Sequence, residues 1–295
     1  MIRLNTDQFP DPSISINLSD AALAGVFQCS KRTAVDFQRI HSAWFRRPIL
    51  PDLTSDIRGA GKREFAAGEL FAFFEGLWKV LNCYWVSPPN AIRNADNKIH
   101  QLRLAQTLGF EIPRTIITSN QAHLREFVQN IGDCVVKTLE RGWVKVGAHD
   151  RYMFTNRLTI RDLEGDRLAR KLIPSIVQEE VRKSVELRIT VVGDEIFSAE
   201  IHSQERPETR IDWRHYEIEH APHFPHDLPR SIRTRCLRLI RTLGLRFGGI
   251  DMIVTPEGRY VFLEINPVPQ WLWAEELAGL PISDALVELL ISQHD

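Results

Sequence analysis

The chain has 295 residues, 43% hydrophobic and 25% charged, with a formal net charge of −1, enough apolar material for one large core or for two or three lobes. That near-neutral balance gives no bulk attraction to nucleic acid or to an anionic membrane surface, and no run approaches membrane-spanning length. Cys29, Cys83, Cys134 and Cys236 lie far apart without paired spacing, and the amino terminus carries no signal-peptide pattern, so neither a zinc knuckle nor a disulfide framework is expected and a cytoplasmic location is.

Residues 1–57 alternate short extended pieces with turns at Phe9-Pro-Asp-Pro12 and Pro48–Pro51, and Trp44-Phe-Arg-Arg-Pro48 reads as a strand ending in two cations. Helical periodicity through Phe65, Leu70, Phe73, Phe74, Leu77, Val80 and Leu81 marks a helix over Gly61–Cys83. Trp85-Val-Ser-Pro-Pro89 ends that unit. A second helix is expected over Asn97–Leu108, N-capped by Asp96 and closed by Gly109. A strand at Ile112–Ile117, a Ser119-capped helix at Gln121–Gln129 and a strand at Cys134–Lys137 follow. Leu139–His149 is a polar connection whose Gly142 and Gly147 suggest a lid, with Trp143 packing or covering.

Helix and strand are then expected to alternate through Leu158–Leu163, Ile173–Val181, Glu186–Val192 and Glu195–His202. His215, His220, His223 and His226 have no compact ligand pattern and read as a solvated loop rather than a zinc site. Arg230–Leu243 is a helix whose Arg230, Arg233, Arg235, Arg238 and Arg241 form a wet face. Ile282–Ser292 closes the chain. This order suggests an α+β nucleotide-binding body behind an amino-terminal α/β lobe.

The most informative stretch is Phe247–Pro267. Two β-rich runs, Ile250–Thr255 and Arg259–Asn266, flank a Pro-Glu-Gly turn. With Glu257 and Gly258 as the loop, position 256 faces 259, and the same register sets Asp251 opposite Glu264. Period-two alternation then puts Asn266 on the face of Glu264. Three oxygen donors without sulfur or imidazole suit Mg²⁺. Apolar residues on both faces argue against a solvated hairpin, because a doubly buried sheet does not keep two carboxylates without a partner. Upstream, Lys98 opens a helix and Lys137 ends an apolar strand, where either ammonium can meet phosphate oxygens. Gln178-Glu-Glu-Val181 reads as a hinge whose backbone and carboxylates address adenine and ribose, and Glu186 and Arg188 share one strand face.

On Lys98, Lys137, Gln178–Val181, Glu186-Leu-Arg188, Asp251 and Glu264-Ile-Asn266 the chain resembles the ATP-grasp ligases over roughly residues 94–290. Trp44-Phe-Arg-Arg-Pro48, Asn97–Leu102, Leu108–Thr115, Asp212-Trp-Arg214 and Gln270-Trp-Leu-Trp273, in that order, are similar to signatures of the peptide maturases of the microviridin or graspetide type. The resemblance implies an ATP-grasp fold, two α+β subdomains (93–181 and 182–295) holding ATP behind an amino-terminal α/β lobe (1–92). It implies ATP and two Mg²⁺ ions as cofactors, with Lys98, Lys137, Gln178, Glu179, Glu180, Val181, Glu186 and Arg188 on the nucleotide and Asp251, Glu264 and Asn266 on metal. A ribosomal precursor peptide, leader plus core, is the implied partner. Its Asp or Glu side chains would be phosphorylated and condensed with Ser, Thr or Lys side chains. Arg188, Asp212 and Arg214 are the implied catalytic residues, Arg214 gripping the acceptor carboxylate.

Two departures stand out. Family members begin with a further strand and helix, so a shortened lobe with an exposed edge, favouring a homodimer, is expected here. Where the family carries a glycine before Gln-Trp, this chain has Val268-Pro269, and proline removes an N–H. Two other readings use similar residues: a ligase adding a free amino acid or amine to a carboxylate, and a nucleotide-binding regulator without turnover.

Overall fold

The computed structural model describes residues 2–9, 13–18, 24–30, 33–53, 57–140, 143–146, 149–152, 155–164, 173–205 and 221–292. The chain divides into two compact units, Met1–Pro89 with Val287–Asp295, and Asn90–Leu286.

The first unit opens with an antiparallel sheet of β1 (Ser13–Asn17), β2 (Ala24–Ser30) and β3 (Thr33–Asp36). Next come β4 (Ser42–Trp44), α1 (Ala60–Val80) and β5 (Tyr84–Val86), and because β4 and β5 pair in parallel, α1 is their crossover. Phe27, Phe37, Phe74, Leu77, Leu81 and Trp85 form its core. β4 stops at Trp44, short of the two cations: Arg46 turns its guanidinium back over the Trp44 ring (5.6 Å to the centroid), and Arg47 has φ +46°.

The second unit holds α2 (Pro89–Ala95), α3 (Lys98–Thr107) and two antiparallel sheets. α3 is capped by Asn97, not Asp96, because the Asn97 Oδ1 accepts the His100 N–H at 3.0 Å. The first sheet runs β10-β7-β11-β6, with β6 at Thr115–Thr118, β7 at Cys134–Lys137, β10 at Asn156–Leu158 and β11 at Ser175–Glu179. α4 (Gln121–Ile131) covers one face through Leu124 and Val128, which meet Cys134, Leu158 and Val177. Asn120 caps α4 in place of the expected Ser119, its Oδ1 accepting from Ala122 and His123. The connection after β7 is not wholly irregular, since β8 (Trp143–Val146) pairs with β9 (His149–Tyr152); Gly142 and Gly147 lie outside the described residues. Where a helix was expected at Leu158–Leu163, β10 ends and one 3-10 turn spans Ile160–Leu163, started by Asp162 accepting the Thr159 N–H at 2.9 Å.

The second sheet runs β14-β13-β12-β15-β16, with β12 at Val185–Val192, β13 at Glu195–Ile201, β14 at His223–Pro225, β15 at Phe247–Val254 and β16 at Tyr260–Asn266. The strand expected to carry Glu186 and Arg188 is β12, but no helix alternates with it: β12 and β13 are a hairpin turning at Gly193 (φ +59°). Every residue of β12 is buried, which explains its near-continuous apolar sequence. α5 (Arg230–Thr242) buries Ile232, Cys236, Leu239 and Ile240 at helical spacing and leaves most of its arginines outward. α6 (Leu272–Ala278), not expected from sequence, ends at Gly279 in the left-handed conformation (φ +64°), and α7 spans Ile282–Ile291. No helix among the described residues is long and apolar enough to cross a membrane.

Candidate active site

The β15–β16 hairpin sets the geometry. Its loop is Pro256-Glu257-Gly258, one residue longer than expected: Thr255 pairs with Arg259 (N–H to O 2.9 Å), and Gly258, at φ +78°, donates to the Thr255 carbonyl at 2.9 Å. That register pairs Val254 with Tyr260 and Met252 with Phe262, and alone it would set Asp251 against Leu263. A β-bulge between Asp251 and Met252 restores the pairing by one residue, so Asp251 faces Glu264 and Gly249 faces Asn266. Bulges re-aim side chains in this way. The pairing read from sequence holds, through a different loop and a compensating bulge.

Ladder partners share a face. Arg188 pairs with Asp251 and Glu186 with Ile253, so one face presents Glu186, Arg188, Asp251, Glu264 and Asn266. Asp251 is 8% exposed and Arg188 6%; the guanidinium lies along the carboxylate, Nε to Oδ1 2.9 Å and Nη2 to Oδ2 3.4 Å. Above the guanidinium stands the Trp273 ring of α6, 5.6 Å away, a cation–π contact. Lys98 reaches the same face from the start of α3. Its Nζ donates to the Thr138 carbonyl, just past Lys137, at 2.8 Å and lies 3.3 Å from the Glu264 Oε2. Lys98 therefore joins the end of the first sheet to the carboxylate pair of the second.

Other expected residues have partners of their own. Glu186, 5% exposed, accepts from the Lys183 Nζ (2.7 Å) and the Ser203 hydroxyl (2.8 Å) at one oxygen. Lys137 pairs with Ile176 on the face of the first sheet opposite α4, and Gln178 shares that face. Gln178 is buried and donates to the Thr115 hydroxyl at 3.0 Å. The Glu179 carboxylate is taken by Arg114 (2.5 Å) and that of Glu180 by Arg157 (2.5 Å). Asp212 and Arg214 lie outside the described residues.

No family model matches the chain. Solved structures do. A RiPP-associated ATP-grasp ligase from Chryseobacterium gregarium, in complex with ADP and a leader and core peptide, aligns at TM-score 0.92 and 28% identity over 100% of this chain and 89% of that one. The macrocyclase MdnC of Microcystis aeruginosa, bound with precursor peptide MdnA, aligns at TM-score 0.84 and 30% identity over 99% and 90%. The chain belongs to the RiPP-associated ATP-grasp ligases. It is thus an ATP-dependent ligase of mixed α/β architecture. Among curated proteins, the alpha-aminoadipate–LysW ligase of Sulfolobus acidocaldarius is 26% identical over 221 residues, 74% of this chain and 76% of that protein.

In this ATP-grasp ligase the donor set Asp251, Glu264 and Asn266 fits Mg²⁺. All three present hard oxygens on one face, and Mg²⁺ takes few protein ligands beside phosphate oxygens and water. Asn266 is oriented by its own backbone, because its Oδ1 accepts the Val268 N–H at 2.9 Å, leaving a second lone pair on the carbonyl. The Val268-Pro269 departure is also accounted for: the Val268 N–H turns inward to Asn266, and the Pro269 ring packs over Gly249.

Of the four histidines expected on a solvated loop, His215 and His220 lie outside the described residues, whereas His223 and His226 are packed and structural. His226 bonds Glu200 at 2.7 Å and the Tyr260 hydroxyl at 2.9 Å, and Glu200 also holds His202 at 2.6 Å. Burial pushes the Glu200 carboxyl up, yet the hydrogen bonds from His226 and His202 outweigh it and hold the group below the usual carboxylate range. His223 is 8% exposed and stands edge-on to Trp273 at 5.5 Å, with its Nε2 buried without a hydrogen-bond partner among the described residues. Burial lowers its pKa, against the opposing effect of a hydrogen bond to the Ala221 backbone. The signal available in sequence was alternation, since apolar Ala221 lies two residues before His223, which sits in a short extended run before Pro225.

Proposed function

We propose that this ligase phosphorylates Asp or Glu side chains of a ribosomally made precursor peptide and condenses them with Ser, Thr or Lys side chains of the same peptide into ω-ester or ω-amide crosslinks. The observation that carries the reading is the pairing of buried Asp251 with half-buried Glu264, flanked by Lys98 and Arg188, in a chain whose aligned relatives were solved with leader, core or precursor peptides.

In this proposal residues 93–181 and 182–295 are the two subdomains that clasp ATP, and residues 1–92 form the amino-terminal lobe. The Gln178–Val181 backbone meets the adenine edge, and Glu186, held by Lys183 and Ser203, meets a ribose hydroxyl. Lys98, Lys137 and Arg188 hold phosphate oxygens. Asp251, Glu264 and Asn266 hold Mg²⁺, which when bound neutralises charge on the transferred phosphoryl group. Arg214 grips the acceptor carboxylate, and Asp212 orients either Arg214 or the incoming nucleophile. A carboxylate oxygen takes the γ-phosphoryl group and ADP leaves. The hydroxyl or amine then attacks the acyl carbon, losing its proton as the C–O bond to phosphate breaks. Each crosslink removes the elements of one water from the peptide.

A second reading, transfer of a free amine to a protein carboxylate, is supported by the similarity to the alpha-aminoadipate–LysW ligase. Intact mass spectrometry separates the two. A short peptide encoded beside this gene is incubated with the protein, ATP and Mg²⁺, with ATP-free and Glu264→Gln controls. Loss of one water per bond only in the complete reaction supports crosslinking, mass gain from an added amine supports the second reading, and full activity of Glu264→Gln removes the assignment of the metal residues.

A further inference from the structure

β16 is the outer strand of its sheet, so alternate backbone groups along it face away from β15 and need partners elsewhere. At Ile265, the residue between Glu264 and Asn266, both groups are met by one side chain. The Gln101 Oε1 accepts the Ile265 N–H at 3.1 Å, and its Nε2 donates to the Ile265 carbonyl at 2.9 Å and to the Ala95 carbonyl at 2.7 Å. Both kinds of amide atom are thus used, in a side chain only 2% exposed. Gln101 stands one helical turn after Lys98 on α3, so the two share a face. Its amide also reaches back to the end of α2, so three segments are joined through one planar group.

We infer that Gln101 is a positioning residue for the metal end of the site, resting on the reading of Asp251, Glu264 and Asn266 as Mg²⁺ ligands. By mimicking a neighbouring strand at a single residue, it sets the height of α3 against β16 and so the approach of the Lys98 Nζ to the Glu264 Oε2. A planar amide that makes a two-way pair with a backbone resists sliding by even one residue, because either slip leaves a buried donor and acceptor unmet. Bulk alone cannot do this. Gln101→Met keeps the volume and loses all three hydrogen bonds, leaving α3 packed but unregistered.

The test uses the full chain with ADP and a Mg²⁺ titration followed by calorimetry, for wild type, Gln101→Met, Lys98→Met and the double variant. Gln101→Met is expected to weaken the apparent Mg²⁺ affinity of the ADP complex about tenfold or more, as for loss of a group that orients a metal ligand. If it acts through Lys98, the double variant will lie within about twofold of Lys98→Met, and strict additivity of the two effects would overturn that route. Unchanged Mg²⁺ affinity in folded Gln101→Met also overturns the inference. Should the variant not fold, hydrogen exchange on wild type decides: the Ile265 amide is expected to be protected like an interior strand amide, and exchange at the rate of an open edge amide removes the latch. A wild type whose ADP binding ignores Mg²⁺ refutes the metal-site reading itself, whereas Mg²⁺ dependence identical in wild type and variant refutes only the role of Gln101.

Discussion

Gly249 offers a sharp test of how tightly the site is built. It sits in β15 opposite Asn266 and beside Asp251, and a methyl group there would lie 2.8 Å from the Arg188 Nη1, 2.8 Å from the Pro269 Cβ and 3.3 Å from the Pro269 Cγ. Neither neighbour can yield cheaply. The proline ring is part of the backbone turn that orients Asn266, and the guanidinium is held between Asp251 and Trp273. Overpacking against constrained groups costs about 2–3 kcal/mol, which in a unit of this size lowers Tm by about 4–12 °C. The easiest relief moves Arg188 off Asp251, so kcat should fall about 100-fold if the pair positions phosphate. The control is the adjacent Gly248→Ala, whose methyl meets the Ile240 Cδ1 at 2.7 Å and the Ile265 Cδ1 at 3.3 Å on the opposite face. Those are the free ends of side chains, so that substitution should cost about 1 kcal/mol or less. Thermal unfolding and steady-state ATP turnover on both variants read the difference. Equal Tm and equal kcat for Gly249→Ala and Gly248→Ala would refute the reasoning.

Arg188→Met should destabilise the protein by about 3–5 kcal/mol, because it removes the guanidinium of a buried ion pair with Asp251; urea titration measures the loss, and added Mg²⁺ is expected to recover part of it if Asp251 is a metal ligand. His223 bears on pH dependence. Burial holds its folded pKa below 6.5, so the unfolded chain binds more protons as pH falls through 6.5 and stability drops on acidification. Denaturant midpoints for His223→Gln should show a flatter decline than wild type below pH 6.5, and an unchanged slope would show that the ring protonates freely in the folded state.

Much of the site was legible because it is local. Asp251 and Glu264 are joined by a short hairpin, and alternation places Asn266 two residues further along the same face. Even there the loop length was misjudged, and the pairing survives because Leu263 bulges out of the ladder by the same single residue. Caps at Asn97 and Asn120, rather than at Asp96 and Ser119, turned on which of two adjacent polar residues reaches the next turn, a matter of backbone dihedrals that composition does not carry. The α6 helix was hidden because its aromatic residues read as a motif, although Ala274, Ala278 and Gly279 held a helical spacing and stop.

What the sequence alone determined are features of period two or 3.6: the β15–β16 pair, the arginine face of α5 and the residue types fit for phosphate and metal; on α1 the apolar stripe is only partly a core face, since Phe74 and Leu77 are buried while Phe65 and Val80 are exposed. Tertiary structure alone decided which distant groups meet. Lys98 finds Glu264 across 166 positions, Gln101 finds Ile265 across 164, and His223 lies beneath Trp273 rather than in solvent. Periodicity tells which way a side chain faces, whereas the partner it faces is chosen by the packing of elements whose order in space no local pattern records.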